Sequence, residues 1–413
     1  MRIAVVGSGI SGLVCAYLLA EKHDVILFEK EGRLGGHTCT VPVEHEGRSL
    51  AVDTGFIVFN EKNYPGFCRL LARLGVESRP TTMSFSVRDE SDGFEYGGSS
   101  VAGILGSPAN LGRRRWWSVV HGVARLHASG RAALAGLPPD ATVADLCSSG
   151  RFSAGFLDSY LLPMAAAIWS CPREDLMRFP ARFLLRFFDN HGMLDLRRRP
   201  QWRTVVGGSR RYIDAMMVVL KDRVRVGLGV EALTRYSDGV EVRTVAGKEP
   251  FDRVILATHA DQSLALLTDA SEAERTILSA MPYQLNEVVL HTDARLLPRS
   301  RRCWSAWNYL INRDAGRPPV VTYNMAILQG FSIDIPLCVT LNATDQINPS
   351  GIIRRCSFSH PLYTIQGESA RASWAEISGA NRTHYCGAYW GNGFHEDGVA
   401  SAVRVCEQLG ARL

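Results

Sequence analysis

The run from Arg2 to Glu29 constrains the fold of this chain more than any other stretch. Arg2-Ile3-Ala4-Val5-Val6 is apolar and rich in β-branched residues, and Gly7-Ser8-Gly9-Ile10-Ser11-Gly12 follows it directly. Leu13 to Glu21 then carries apolar residues at helical spacing, and Asp24-Val25-Ile26-Leu27-Phe28 closes on Glu29. The order is strand, glycine turn, helix, strand, acid. In a βαβ unit of this kind the first glycine permits the turn, the second lets backbone approach a pyrophosphate, and the third lets the helix lie on the strand. Gly7, Gly9 and Gly12 hold those places. The amides at the helix start, Ser11 among them, offer phosphates free N–H groups and the positive end of a dipole. Glu29, twenty residues beyond Gly9, is placed to accept from a ribose and to repel a 2′-phosphate, which disfavours NADP. A glycine turn with no ligand is the competing reading, and the strand, helix and acid around the turn speak against it.

Glu29-Lys30-Glu31-Gly32-Arg33-Leu34-Gly35-Gly36-His37 continues the run. This stretch resembles the E-x-x-x-R-x-G-G extension of FAD-binding oxidoreductases of the amine oxidase and phytoene desaturase superfamily. The resemblance implies FAD as cofactor, with Lys30, Arg33, Gly35, Gly36 and His37 along it and Arg33 facing phosphate. It implies an α/β fold: a Rossmann-like FAD-binding domain of the amine oxidase and glutathione reductase type, with an inserted α+β substrate domain. Residues 1–77, 203–275 and 375–413 are expected to form the first, and 78–202 and 276–374 the second.

Length agrees, since 413 residues exceed what one core usually supports. Hydrophobic content of 46% and charged content of 21% are those of a soluble globular chain. A net charge of +5 is too mild to indicate a nucleic-acid partner. The ten cysteines form no C-x-x-C, which reads as reduced thiols in a cytoplasmic protein. The first strand starts at Arg2, so no signal peptide is expected, and no apolar run approaches the roughly 20 residues of a membrane span.

Further along, Val41 to Leu50 reads as a hairpin, and Gly55 within Asp53-Thr54-Gly55-Phe56-Ile57-Val58 marks a close backbone approach. In the superfamily this segment lies near the flavin, which implicates Thr54, Gly55 and Phe56. Tyr64 to Leu74 is an amphipathic helix ending at Gly75, and Gly98 to Leu111 reads as a loop of small residues. Arg113-Arg114-Arg115-Trp116-Trp117 opens a helix over Val119 to Arg131. Its basic, aromatic start suits a membrane surface or an acidic lipid headgroup; a solvated helix with both tryptophans in the core is the alternative. Ala181 to Phe188 is helical and closes on Asn190-His191-Gly192, with His191 either an acid–base group or a capping residue. Arg197-Arg198-Arg199-Pro200 reads as a solvated turn.

Val224 to Thr244 reads as a strand and a hairpin turning at Asp238-Gly239, and Asp252 to Thr258 as a buried strand. No second G-x-G-x-x-G follows, so no separate nicotinamide domain is expected. Val288–His291, Cys303–Asn308, Val320–Ile327 and Leu337–Leu341 read as strands of the second domain. The chain closes with strand, glycine loop and helix start over Asn381 to Val399.

Asp53 to Asn60, Met83 to Val87, Ile168 to Pro172, Asn190-His191-Gly192, Arg199 to Trp202, Trp304 to Asn308, His360-Pro361 and Gly387 to Trp390 together resemble one family across nearly the whole chain. It is a set of FAD-dependent, amine-oxidase-like and protoporphyrinogen-oxidase-like oxidoreductases. It includes the N-terminal flavoprotein domain of plant cyclopropane fatty acid synthases and bacterial stand-alone relatives. The resemblance places Val230 on the adenine and Ala257-Thr258 against the cofactor from the far side of the sheet. It brings Gly387, Gly398 and Val399 to the flavin, with Glu396 or Asp397 accepting from ribityl hydroxyls. Tyr389 and Trp390 face the flavin ring or pack in the core, and with His191 and His395 they are the catalytic candidates; His360 is a further histidine to replace. Asn392 stands where the family leads one to expect an aromatic.

Three functions remain open at this point. The first is hydride removal from a lipid acyl chain, which needs little acid–base machinery. The second is amine or amino-acid oxidation. The third is a non-catalytic flavoprotein that accompanies a lipid methyltransferase. Peripheral membrane contact fits the first and third.

Overall fold

A computed structural model describes residues 1–195, 199–311 and 318–413. The expected turn at Arg197-Arg198 lies outside the described residues. In chain order the elements that build the site are β1 (Arg2–Val6), α1 (Ile10–Leu19), β2 (Asp24–Glu29), α2 (Pro65–Leu74), β3 (Phe85–Asp89), β4 (Phe94–Gly97), α3 (Val101–Leu105), α4 (Arg114–Gly136) and α5 (Ala181–Asn190). They continue with α6 (Arg210–Leu220), β5 (Val224–Val226), β6 (Arg253–Leu256), β7 (Tyr283–His291), β8 (Trp307–Ile311), β9 (Val320–Asn324), β10 (Cys338–Leu341), β11 (Ile352–Pro361), β12 (Thr383–Tyr385) and α7 (His395–Gln408).

One sheet has the strand order β5-β2-β1-β6-β12 and is parallel throughout. Its strands are apolar on both faces because both are covered: α1, α6 and α7 pack on one, and a three-stranded antiparallel sheet of Val230–Arg235, Val240–Thr244 and Gly247–Phe251 packs with short helices on the other. Val6 pairs with Phe28 on one side and Leu256 on the other, so Gly7, Glu29 and Ala257 leave the sheet at the same edge. The chain runs from β1 to β2 one way and reaches β6 on the other, which makes β1 the topological switch point. Open α/β sheets take ligands there, outside the carboxyl ends of the strands.

The second sheet has the order β11-β7-β10-β9-β8-β3-β4, antiparallel except where β8 and β3 run side by side. It joins residues near 90 to residues beyond 283. A three-stranded sheet pairs Trp202–Val205 with both Phe59–Asn60 and Ser78–Thr81. It therefore crosses the domain boundaries expected at 77 and 203.

Several local expectations change. Gly98 to Leu111 contains α3, nucleated where the Ser100 hydroxyl accepts the Gly103 amide at 3.0 Å, and a 3-10 turn at Pro108–Gly112. The helix expected from Val119 begins at Arg114 and runs to Gly136. Cys303–Asn308 is strand only from Trp307. The strand from Val320 stops at Asn324, whose side chain caps a short helix, Met325–Leu328.

Candidate active site

One cavity of about 1890 Å³ opens at the switch point and runs between the two sheets. A single small ligand usually fills about 300–1,000 Å³, so this cavity has room for a dinucleotide and a second molecule.

At the dinucleotide end, α1 begins at Gly9 with no side-chain cap and no acid in its first turn. Leu13 is the first amide to bond Gly9's carbonyl, at 3.0 Å, which leaves the preceding helix amides bare. A Cβ built on Gly9 meets no atom within 4 Å, so the space a pyrophosphate needs is open. Gly36 folds back until its own Cβ would stand 3.2 Å from the Gly9 Cα, while the Gly35 amide donates to the Ser8 carbonyl at 3.0 Å. The two glycine stretches thus form one cradle. The Glu29 carboxylate is buried and accepts the Ser8 amide at 2.9 Å, the Ser8 hydroxyl at 2.5 Å and the Glu31 amide at 2.9 Å. It braces the loop and keeps lone pairs for a ribose. Lys30, Arg33, Val230, Ala257 and Thr258 line the same end. Bare helix amides, a carboxylate and a glycine cradle are the donor and acceptor set that FAD's adenosine and pyrophosphate require.

The middle of the cavity is walled by His37, Thr54, Gly55, Phe56, Gly387, Tyr389 and His395. The close approach at Gly55 is to the His37 carbonyl, which a Cβ would reach at 2.0 Å. His395 stacks on Phe56 with ring centres 3.6 Å apart. Its Nε2 lies 3.1 Å from the Thr38 hydroxyl and 3.0 Å from the Tyr212 hydroxyl. Burial pushes its pKa down to about 3, so the ring is neutral near pH 7. His191 caps α5 and also lines the cavity; its Nδ1 meets the Phe187 carbonyl at 3.0 Å, and burial lowers it to about 4.

Residues 10–302 match the model of the flavin-containing amine oxidoreductase family. The chain belongs to that family. FAD is the cofactor this family membership carries. A Mycobacterium tuberculosis relative, AofH, provisionally named a flavin-containing monoamine oxidase, is 24% identical over 281 residues, covering 62% of this chain and 56% of AofH. The chain thus matches little more than half the length of that curated relative. Among solved structures, a CLA-producing fatty acid isomerase from P. acnes superposes with TM-score 0.67 at 17% identity, covering 99% of this chain and 98% of that one. A putrescine oxidase bound to putrescine gives TM-score 0.71 at 14% identity, covering 99% of both chains. These likenesses establish the fold.

Within this family member several expected residues sit elsewhere. The Glu396 carboxylate accepts the Gly66 and Phe67 amides, each at 2.8 Å, and so caps α2 rather than reaching a ribityl chain. Asp397 accepts the Phe394 amide at 2.9 Å and closes the start of α7. Gly398 makes room for the crossing of α7 and α1, where its Cβ would meet Ile10 at 2.7 Å. Val399 is fully buried in the core beneath that crossing. Gly12 lies against the Gly7 carbonyl, as a helix-packing glycine should. Trp390 turns from the cavity wall and packs at 5.1 Å from Tyr389, which does face the cavity.

Sequence reasoning missed Thr38 and Tyr212, which hold His395. It also missed a histidine group on the cavity wall, where His37 stands 5.2 Å from His360 and 6.3 Å from His259. A signal was present, since His37 and His259 each directly follow an expected cofactor motif, Gly35-Gly36 and Ala257-Thr258. Among the described residues no helix is long and apolar enough to cross a membrane.

Proposed function

We propose that this chain is an FAD-dependent oxidoreductase of an apolar substrate, a lipid acyl chain that it desaturates, oxidises or isomerises. The supporting observation is the charge of the cavity wall. Its acids, Glu29 and Glu31, sit beside the glycine cradle. The far arm is walled by Tyr96, Ile104, Trp116, Val120, Tyr160 and Met164, and among the described residues it contains no carboxylate. A protonated amine entering this arm would lose its hydration with no anion to meet it. An alkyl chain gains about 0.8 kcal/mol per buried CH₂. The other charged groups on the wall are cations, Arg199, Arg354 and Arg355 among them, which suits a carboxylate head.

The bare amides of Ile10 and Ser11 would hold the cofactor's phosphates and Glu29 its ribose. When bound, FAD supplies the acceptor for a hydride leaving a carbon placed against its ring. The chain's part is to orient that carbon and exclude water. Neutral His191 and His395 shape the wall without carrying charge into it.

The likeness to the flavoprotein domain of cyclopropane fatty acid synthases supports the same reading and suggests a lipid methyltransferase as companion at the cytoplasmic face of a membrane. The test is gas chromatography–mass spectrometry of membrane fatty acids from cells expressing this chain or Gly9→Trp, beside such a methyltransferase. An acyl species that changes only with the intact chain identifies the bond attacked. Identical profiles refute the acyl reading and leave two others: oxidation of an amine, and a flavoprotein that serves the methyltransferase without turnover. Turnover of amine panels separates those two.

A further inference from the structure

The cavity's apolar arm ends under an unusual stretch of surface. Val101 is 86% exposed, Ile104 45%, Leu111 52% and Trp117 43%, all within the segment of α3, the following turn and the first turn of α4. This segment is one packed unit: the Trp117 indole donates to the Leu111 carbonyl at 2.9 Å and the Trp116 indole to the Ile104 carbonyl at 2.9 Å. Ile104 is exposed and also lines the cavity, so the patch forms the cavity's rim. Trp116, Val119, Val120 and Val123 continue the wall inward from it.

Cations surround the patch. The 3-10 turn Arg301–Cys303 packs on α3, where a Cβ on Gly103 would lie 2.7 Å from the Arg302 carbonyl. Arg299, Arg301, Arg302 and Arg114 are exposed. The nearby acids are engaged. Asp89 and Asp92 pair with Arg115 at 2.8 and 3.1 Å, Glu90 pairs with Arg88 at 2.8 Å, and Glu95 accepts the Arg299 and Ser300 amides, each at 2.8 Å. The surface therefore presents exposed aliphatic and aromatic side chains among positive charges. This is the composition that binds the interface of an anionic bilayer.

We propose that this surface docks on an anionic bilayer and that Ile104 marks the portal through which a bilayer lipid reaches the cavity. The docking stands on the surface alone; the portal's traffic rests on the acyl reading above. Among the described residues no helix is long and apolar enough to span the bilayer, and docking through this surface alone is reversible and salt-sensitive.

The experiment is co-sedimentation of the FAD-loaded protein with vesicles of phosphatidylcholine alone and of phosphatidylcholine mixed with phosphatidylglycerol. Binding to the mixed vesicles is expected, with weak binding to the neutral ones. Arg114→Gln with Arg302→Gln is expected to weaken partitioning about thirtyfold, two basic contacts being removed. Val101→Asp with Leu111→Asp should abolish it, and neither pair contacts the cofactor site. A loaded protein that sediments with neither vesicle, or variants that partition like the parent, overturns the proposal; an acidic protein partner would give the first of these results. Because partitioning is read without turnover, vesicle binding without an acyl product would refute the acyl reading and leave the docking intact. An acyl product without vesicle binding would do the reverse.

Discussion

Arg235 and Glu274 meet through two nitrogen–oxygen contacts, the longer 2.9 Å, with side chains only 2% and 1% exposed. Tyr385, at the end of β12, donates its hydroxyl to the same carboxylate at 2.5 Å. The pair therefore anchors the strand that leads into Gly387 at the cavity. Removing Arg235 strands the buried Glu274 carboxylate, at about 3–5 kcal/mol, whereas Arg235 keeps Asp269, 3.0 Å from its Nε, when Glu274 is removed. Arg235→Leu should therefore lower unfolding free energy by about 3–5 kcal/mol and Glu274→Leu by less. The double replacement should cost less than the sum, which denaturant titration of all three variants will measure.

Glu29 gives the second prediction. It braces the loop, and on the reading proposed above it also accepts from the cofactor's ribose, so Glu29→Gln should weaken FAD binding by about 1.5–3 kcal/mol, the value of a hydrogen bond to a charged group. Titration followed by flavin fluorescence reads this directly. An unchanged dissociation constant would mean that Glu29 only braces Ser8.

Glu396 gives a contrasting one. As the cap of α2 it should behave as a stability residue: Glu396→Ala should cost about 1 kcal/mol of folding free energy and leave FAD affinity unchanged. A large loss of cofactor affinity with unchanged stability would restore it to the cofactor site.

Acid should destabilise the fold before carboxylate pairs titrate. Burial lowers His191, His291, His360 and His384 to about 4 and His395 to about 3, and His37 falls well below its ordinary value. Below about pH 6.5 the unfolded chain takes up protons these rings refuse. Stability is therefore full above that pH and is lost as pH falls toward about 4. Asp53, Glu396 and Asp397, raised by burial, oppose this with fewer protons. A denaturation midpoint at pH 5.5 equal to that at pH 7.5 would contradict this balance.

The dinucleotide half was legible because its motif is contiguous: Gly7, Gly9, Gly12 and Glu29 act on neighbours within one βαβ unit. Gly35, Gly36, Ala257 and Thr258 were expected through family resemblance; the sheet register brings Ala257 to the edge where Gly7 leaves, and loop contacts to Ser8 and Gly9 bring Gly35 and Gly36 there. The last helix was ambiguous for a physical reason. Glu396 and Asp397 sit at a helix start, where any carboxylate satisfies orphan amides, and sequence cannot say whether those amides belong to the protein or to a ligand. The Thr38, Tyr212 and His395 network joins residues from three distant segments, and no local period records such a meeting. Gly98 to Leu111 looked like a loop because its residues are small, yet one hydroxyl from Ser100 suffices to start α3.

The order in which the sheets close bears on how the chain is made. β1 is flanked by β2 at once, but its sheet waits for β6 and then β12, and β3 has no parallel neighbour until β8 is synthesised more than two hundred residues later. Neither core can close on the ribosome as a finished unit. Val87, Phe94 and Tyr96 can pack on Trp116 and Val119 soon after synthesis, but the edge of β3 that β8 covers stays unpaired until residue 307 is made. Removal of Thr383–Tyr385 would unseat an edge of the parallel sheet rather than trim a tail. Yield in cells should therefore depend on chaperone supply more than the finished fold's stability would suggest.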